Sequence, residues 1–385
     1  MTGASPVPIV ALVTHARHVP AIERQRFAAA LHREPASGGL TLETCHRVEA
    51  YLTSADDAVR FAALIPAGGR ALAGEQAVRH AMTVAVGSDS VVVGEDQILH
   101  QIRTSVDASR RAGSLDQALE RLFALALHAG RRARSWHQGP ARSLADVALR
   151  SIEEHGGPIR GRDVLVVGAG RMGRLAVRAA LSRGAVIAVA NRSAEGAESV
   201  AASAHARVVA FDPGAGIDAF DGVIVALAGP WPIGSATIDA LARSGTVVVD
   251  LSVPAAVPIK LAETLGQRLV TADTLALADV GTPAQPGSAR LAGLVDRTTE
   301  EFVDWLRRRD GRATAEALVE HAERERVAEL TALWQRLPGL EPEAREAIDA
   351  MTQHLATRLL REPLQRLGRD ADGHDERAVR DLFAL

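Results

Sequence analysis

Val164-Leu165-Val166-Val167-Gly168-Ala169-Gly170-Arg171-Met172-Gly173 is the stretch on which the fold turns. Its four leading apolar residues, bounded by glycine, read as a short strand buried on both faces. The glycines follow at G-x-G-x-x-G spacing and open an amphipathic segment, Arg171 to Gly184, that reads as a helix. In such a loop the first glycine allows the tight turn and the second lets the backbone approach a pyrophosphate. The third lets helix and strand pack closely. The helix N-terminus then faces the phosphates. Gly168, Ala169, Gly170, Arg171, Met172 and Gly173 are therefore candidate dinucleotide-binding residues, against the plainer alternative of a glycine-rich turn kept for packing.

Working outward, the next apolar run, Val186 to Ala190, ends in Asn191-Arg192-Ser193. In NAD-binding proteins an Asp or Glu about 20 residues beyond the loop takes the ribose 2′-hydroxyl. No carboxylate stands here, and an arginine with two small polar neighbours suits a 2′-phosphate. Asn191, Arg192 and Ser193 thus point to NADP(H). Further strand-like runs, VVAF (208–211), GVIVALAG (222–229) and GTVVVDLS (245–252), alternate with helical patterns. That alternation implies right-handed crossovers and a doubly wound, Rossmann-like parallel sheet over residues 143–288.

On either side the pattern changes. Residues 1–142 mix short strand-like runs (Ile9 to Val13, Ala50 to Thr53) with helices, an α+β arrangement. The longest helical stretch, Glu95 to Arg134, breaks near Gly113 and is the most basic part of the chain. Residues 289–385 are helical only. Val327, Leu330, Trp334 and Leu337 recur at helical spacing, as do Ala344, Ile348, Met351, Leu355 and Leu359, with Pro338 and Pro342 between the two helices. Two such helices bury little core alone, so this segment is expected to pack on a second copy. The charged tail from Arg369 to Arg377 reads as mobile.

Composition narrows the function. Of 385 residues, 47% are hydrophobic and only 3% aromatic, so Leu, Val, Ile and Ala must fill the core. A net charge of −3 excludes nucleic-acid binding through bulk positive charge but leaves room for a local basic face. The chain's one cysteine rules out an intramolecular disulfide framework and a Cys-rich zinc site. No metal cluster is evident. No apolar run reaches about 18 residues and the start lacks a signal-peptide pattern, so a cytoplasmic location and no membrane segment are expected.

That cysteine sits in unusual company. Thr41-Leu42-Glu43-Thr44-Cys45-His46-Arg47-Val48-Glu49 crowds charged and polar side chains around the thiol, a poor core sequence. His46 and Arg47 are placed to favour the thiolate, the competent nucleophile. A thiolate beside a nicotinamide site supports either reduction of an activated carboxyl through a thioester or the reverse oxidation of an aldehyde, and NADP(H) leans towards reduction.

These residues resemble the glutamyl-tRNA reductase family. Thr44-Cys45-His46-Arg47-Val48-Glu49 is similar to the family's T-C-N-R-x-E. Gly87 to Gln101, GSDSVVVGEDQILHQ, is similar to its G-L-D-S-x-V-x-G-E-P-Q-I-L-x-Q. HAMTVAV (80–86), LFALALHAGRRAR (122–134) and the helical ERERVAEL (323–330) and TRLLREPLQRL (357–367) follow in the family's order. The resemblance implies NADPH-dependent reduction of glutamyl-tRNA(Glu) to glutamate-1-semialdehyde, the first step of the five-carbon route to 5-aminolevulinate and tetrapyrroles. It implies that Cys45 takes the glutamyl group as a thioester. Arg47 would pair with the glutamyl carboxylate and Thr44 would help position the group. His80 would polarise the carbonyl or orient the ester. It places His46, Ser90, Glu95, Asp96, Gln97 and Gln101 on substrate-binding positions. It also implies a homodimer through the C-terminal helices and contact with glutamate-1-semialdehyde aminomutase.

The chain departs from the family pattern at His46, where the family has Asn, and at Asp96, where it has Pro. Near the N-terminus Thr14-His15-Ala16-Arg17-His18-Val19-Pro20 replaces N-H-K-T-A-P, and the following arginine–acid pair stands as Glu23-Arg24. Two other readings stay open on the sequence alone: a catalytically impaired regulatory paralogue, and an NADP-dependent small-molecule dehydrogenase of the shikimate type.

Overall fold

Strand β1 (Val10–His15) leads through helix α1 (Ala21–Arg33) into a hairpin of β2 (Leu40–Glu43) and β3 (Arg47–Leu52). Helix α2 (Ala55–Ala62), β4 (Arg70–Ala73), α3 (Glu75–Val86), α4 (Asp96–Arg111) and α5 (Gln117–Arg134) complete this half. The computed structural model describes residues 7–89, 96–113, 115–136, 143–278, 288–367 and 374–385, with Asp96 and residues 276–278 described by backbone alone. The four strands form an antiparallel sheet in the order β2-β3-β1-β4, with His15 opposite Arg47 and Glu43 opposite Val48. Leu12, Val48, Ala50 and Leu52 pack on Phe27 and Leu31 of α1 and Phe61 of α2. Tyr51 meets Phe123 of α5 edge-on at 4.9 Å.

Strand β3 begins earlier than its apolar residues indicate. Every residue of Arg47–Leu52 is buried, Arg47 and Glu49 included. Buried charges are tolerated because they pair, and these two bond each other. The basic stretch behaves as its pattern implies: α4 and α5 are separate helices with Gly113 between them.

Helix α6 (Leu144–Gly156) opens on a capping box between Ser143 and Asp146. It is followed by β5 (Asp163–Val167), α7 (Arg171–Ser182), β6 (Val186–Ala190), α8 (Ala194–Ala204) and β7 (Arg207–Val208). Then come β8 (Gly222–Val225), α9 (Ser235–Arg243), β9 (Val247–Asp250), α10 (Ile259–Leu265), β10 (Leu269–Thr271) and α11 (Ala272–Ala278). The strands are all parallel, in the order β10-β9-β8-β5-β6-β7. Chain direction across the sheet therefore reverses between β5 and β8, and at such a switch point a ligand crevice opens beyond the strands' C-terminal ends. Gly168 stands at that point. One compact unit, Pro8–Thr298, contains both sheets.

The other unit takes in residues up to Val7 together with Thr299–Leu385, the later part of α12 (Ser288–Arg336), α13 (Pro342–Leu367) and α14 (His374–Phe383). Thr314 bonds Glu376, and Arg345 stacks on Trp334. Of the tail from Arg369 to Arg377 that the sequence reads as mobile, residues 374–377 open helix α14, and residues 369–373 lie outside the described residues. Val327, Met351, Leu355 and Leu359 are exposed on these helices, and Leu337 is exposed just beyond α12. No helix among the described residues is long and apolar enough to cross a membrane.

Candidate active site

Cys45 sits in the turn of the β2–β3 hairpin, and Thr44 builds that turn. The Thr44 N–H donates to the Arg47 carbonyl at 2.9 Å. The Thr44 hydroxyl accepts the N–H groups of His46 and Arg47 at 3.2 and 3.1 Å. Such side-chain bonding to backbone two and three residues on makes threonine a turn former. Neighbouring elements hold the turn from outside. The His46 carbonyl accepts from the Ala16 N–H, and the Cys45 carbonyl accepts from Arg24 Nη2 at 3.0 Å. Arg24 is 1% exposed, donates also to the Val19 carbonyl at 2.7 Å, and reaches Asp273 at the start of α11 at 2.9 Å. His46 Nε2 lies 3.0 Å from the Ala272 carbonyl in the same helix start. Two bonds thus tie the cysteine turn and α1 to the start of α11, beside the parallel sheet.

Thr44, Cys45, His46, Arg47, Gln97, Gln101, His15, Leu144 and Met172 line one cleft. The cysteine motif, part of the second signature and the glycine loop, widely separated in sequence, therefore meet. His80 does not line it. Its Nε2 bonds Glu49 Oε1 at 2.9 Å, and Glu49 in turn accepts from Arg47 at 3.1 Å and from the Tyr51 hydroxyl at 2.7 Å. Ser90 and Glu95 lie outside the described residues, as does the side chain of Asp96, the first residue of α4.

Arg47 is already engaged. Besides Glu49 it bonds the Asp89 carboxylate at 3.2 Å and the Asp89 carbonyl at 2.5 Å. The Arg47–Glu49 pair is fully buried. Burial works against the Arg47 charge, and Glu49 and Asp89 outweigh it. Burial would likewise raise Glu49, yet His80, Arg47 and Tyr51 hold its carboxyl at about 2. A substrate carboxylate at Arg47 has Asp89 as its competitor. His46 behaves otherwise: burial first, then Arg24 and Arg47, push it down to about 4, so it is neutral near pH 7. Of the two residues flanking the thiol, the positive charge comes from Arg47 alone.

His15, pushed down to about 3 chiefly by burial and by Arg47, is neutral as well. An unfolded chain titrates histidine near 6.5, so below that pH the unfolded state binds protons that the folded state refuses. Stability from these two histidines is complete above about pH 6.5 and is lost as pH falls towards 4 and 3. Urea melts are expected to show a loss of ~3–5 kcal/mol per histidine across that window. His46→Asn should flatten the profile; identical slopes for variant and parent would refute the assignment.

The glycine loop has the shape a pyrophosphate needs. Gly168 holds φ +118°, and a Cβ there would stand 2.2 Å from the Ala226 carbonyl oxygen. A Cβ on Gly173 would stand 1.8 Å from the Gly168 carbonyl oxygen, so helix and loop touch through backbone. A Cβ on Gly170 meets nothing within 4 Å, which leaves the N-terminus of α7 open to a ligand. Asn191 braces the loop by accepting the Ala169 N–H at 3.1 Å, and its amide bonds Ser193, which caps α8. Arg192 is exposed beside them. These residues fit a dinucleotide.

Residues 12–136 match the model of the glutamyl-tRNA(Glu) reductase N-terminal domain, and residues 290–385 match that family's dimerisation domain. Together the two matches cover more than half of the chain. The chain belongs to the glutamyl-tRNA reductase family. Residues 150–277 match the shikimate/quinate 5-dehydrogenase model. The glutamyl-tRNA reductase of Halobacterium salinarum is 34% identical over 90% of this chain and 84% of its own. That of Roseiflexus castenholzii is 30% identical over 98% and 97%. The solved glutamyl-tRNA reductase of Methanopyrus kandleri shares the fold, with TM-score 0.54 and 24% identity over 98% of each chain.

Arg24, His15, Glu49 and Asp89 are the site residues that the sequence reading did not single out. Arg24 carried a signal: with Phe27, Ala28 and Leu31 it forms the i, i+3, i+4, i+7 stripe that α1 buries.

Proposed function

We propose that this chain reduces glutamyl-tRNA(Glu) to glutamate-1-semialdehyde with NADPH, through a thioester on Cys45. The observation that carries the reading is the single cleft lined by Cys45 and by Met172 of the glycine loop. The Cys45 sulfur attacks the glutamyl ester carbon, and the bond to the terminal ribose oxygen breaks, releasing tRNA. Bound NADPH supplies the hydride that converts the thioester to the aldehyde and returns the thiolate. Thr44 fixes the turn that presents the sulfur, while Arg47, Gln97 and Gln101 surround the glutamyl group. Ser90, Glu95 and Asp96 join that substrate wall, and His80 acts on it through Glu49 and Arg47.

Radiolabelled glutamyl-tRNA mixed with the protein without NADPH should leave label on Cys45, chased to semialdehyde on adding NADPH. Bound tRNA with no trapped label would overturn the reading.

Gly168 to Gly173 would hold the pyrophosphate, and Asn191, Arg192 and Ser193 the 2′-phosphate. Arg192→Ala should raise KM for NADPH ~10–100-fold, the loss of a charge-assisted bond of ~1.5–3 kcal/mol, and leave KM for NADH unchanged. Equal effects on both would remove Arg192 from the site.

The domain reading is residues 1–142 for glutamyl-tRNA binding and catalysis, 143–288 for NADPH and 289–385 for dimerisation. Exposed Met351, Leu355 and Leu359 support a homodimer through the C-terminal helices. Exposed Arg103, Arg111, Arg131 and Arg132 on α4 and α5 offer tRNA its basic face. The reading extends to a cytoplasmic enzyme that hands its semialdehyde to the aminomutase.

A further inference from the structure

His15 ends β1 directly opposite Arg47 and is 7% exposed. Its Nδ1 accepts the Arg17 N–H at 3.1 Å, which leaves Nε2 as the protonated nitrogen of the neutral ring. That Nε2–H is buried with no hydrogen-bond partner among the described residues, although the ring lines the cleft with Cys45. A buried N–H without an acceptor costs ~1–3 kcal/mol, and such groups call for an explanation. Most polar neighbours are already satisfied: Arg47 by Glu49 and Asp89, the Thr44 hydroxyl by two backbone N–H groups, His46 by Ala272. His15 is a donor held in place and waiting for an oxygen.

A glutamyl ester offers two kinds of oxygen, a full carboxylate and a carbonyl that becomes negative only as sulfur adds. A carboxylate is matched by a cation, and Arg47 stands across the ladder for it. A neutral, buried donor held in place suits charge that develops in the transition state, because it need not reorganise when the charge appears. Burial and the neighbouring Arg47 and Arg17 keep the ring uncharged, so it donates a hydrogen bond without giving up its proton.

Resting on the reading of this cleft as the glutamyl acylation site, we propose that His15 Nε2–H is an oxyanion donor. As the Cys45 sulfur bonds to the ester carbon, the carbonyl π electrons move onto oxygen, and His15 holds that oxygen. When the carbonyl re-forms, the carbon–oxygen bond to the ribose breaks, the ribose oxygen takes a proton from water, and the thioester remains.

The test is single-turnover acylation of Cys45 by labelled glutamyl-tRNA without NADPH, run beside the same tRNA charged with glutamine. His15→Phe should slow both reactions by the same factor, ~100–1,000-fold, with tRNA affinity unchanged. His15→Gln, whose amide nitrogen falls near the Nε2 position, should recover to within ~10-fold of the parent, and His15→Asn, whose amide falls near Nδ1, should not. The Gln–Asn pair decides the matter if the Phe variant does not fold. Parental rates in His15→Phe, a loss confined to the glutamyl ester, or a loss in affinity alone would each overturn the proposal. A parent protein that traps no label would instead overturn the reading of the cleft.

Discussion

Cys45→Ser is expected to cut semialdehyde formation at least ~1,000-fold, the scale of losing a covalent nucleophile, and to leave no label on the protein. Serine keeps the shape of the turn, because the bonds that hold it run through Thr44, the Cys45 carbonyl and the His46 carbonyl. Chemistry alone should therefore change. A thiol supplies a few per cent thiolate near neutral pH, whereas a hydroxyl needs a base beside it. The nearby histidines are committed elsewhere: His46 Nε2 to the Ala272 carbonyl and His15 Nδ1 to the Arg17 N–H. NADPH binding, followed by nucleotide fluorescence, should stay at the parental level, since the glycine loop is untouched. A serine variant that still turned over at near-parental rate would end the thioester mechanism.

How legible each half was follows from how its strands are buried. In the nucleotide-binding sheet both faces are covered, so strands such as Val164-Leu165-Val166-Val167 are continuous apolar runs, and the glycine loop marks the switch point directly. Strand β3 hides the same degree of burial under two charges. Arg47-Val48-Glu49 reads as polar surface because the groups that neutralise it, Asp89 and His80, lie more than 30 residues away in sequence. Arg24 misled for a related reason. Next to Glu23 it reads as the family's arginine–acid pair in reversed order, yet it occupies the buried stripe of α1, and its acceptors come from three separate segments. The cysteine that the family resemblance singles out lines the cleft. The resemblance could not show that His46, one of the residues by which this chain departs from the family pattern, reaches across to the start of α11.

Arg24→Met should destabilise the protein by ~3–5 kcal/mol, the cost of breaking a buried charged network from one side. Methionine approximates the length of the side chain, so the loss is of donors and not of volume. The carbonyls of Val19 and Cys45 and the Asp273 carboxylate all lose an N–H at once. Asp273→Asn is the gentler cut: Asp273 keeps 30% of its side chain in solvent, so a change of only ~1 kcal/mol is expected. The two variants separate folding from positioning. If Arg24 and Asp273 hold the cysteine turn against α11 for the second half-reaction, Asp273→Asn will acylate Cys45 at the parental rate. It will nevertheless return less semialdehyde per trapped glutamyl group, the remainder being lost as free glutamate when water reaches the thioester. Equal falls in acylation and in semialdehyde yield would mean that the pair merely supports the turn. Parental behaviour in both, with Arg24→Met costing under ~1 kcal/mol, would show that the bond between the halves organises neither step.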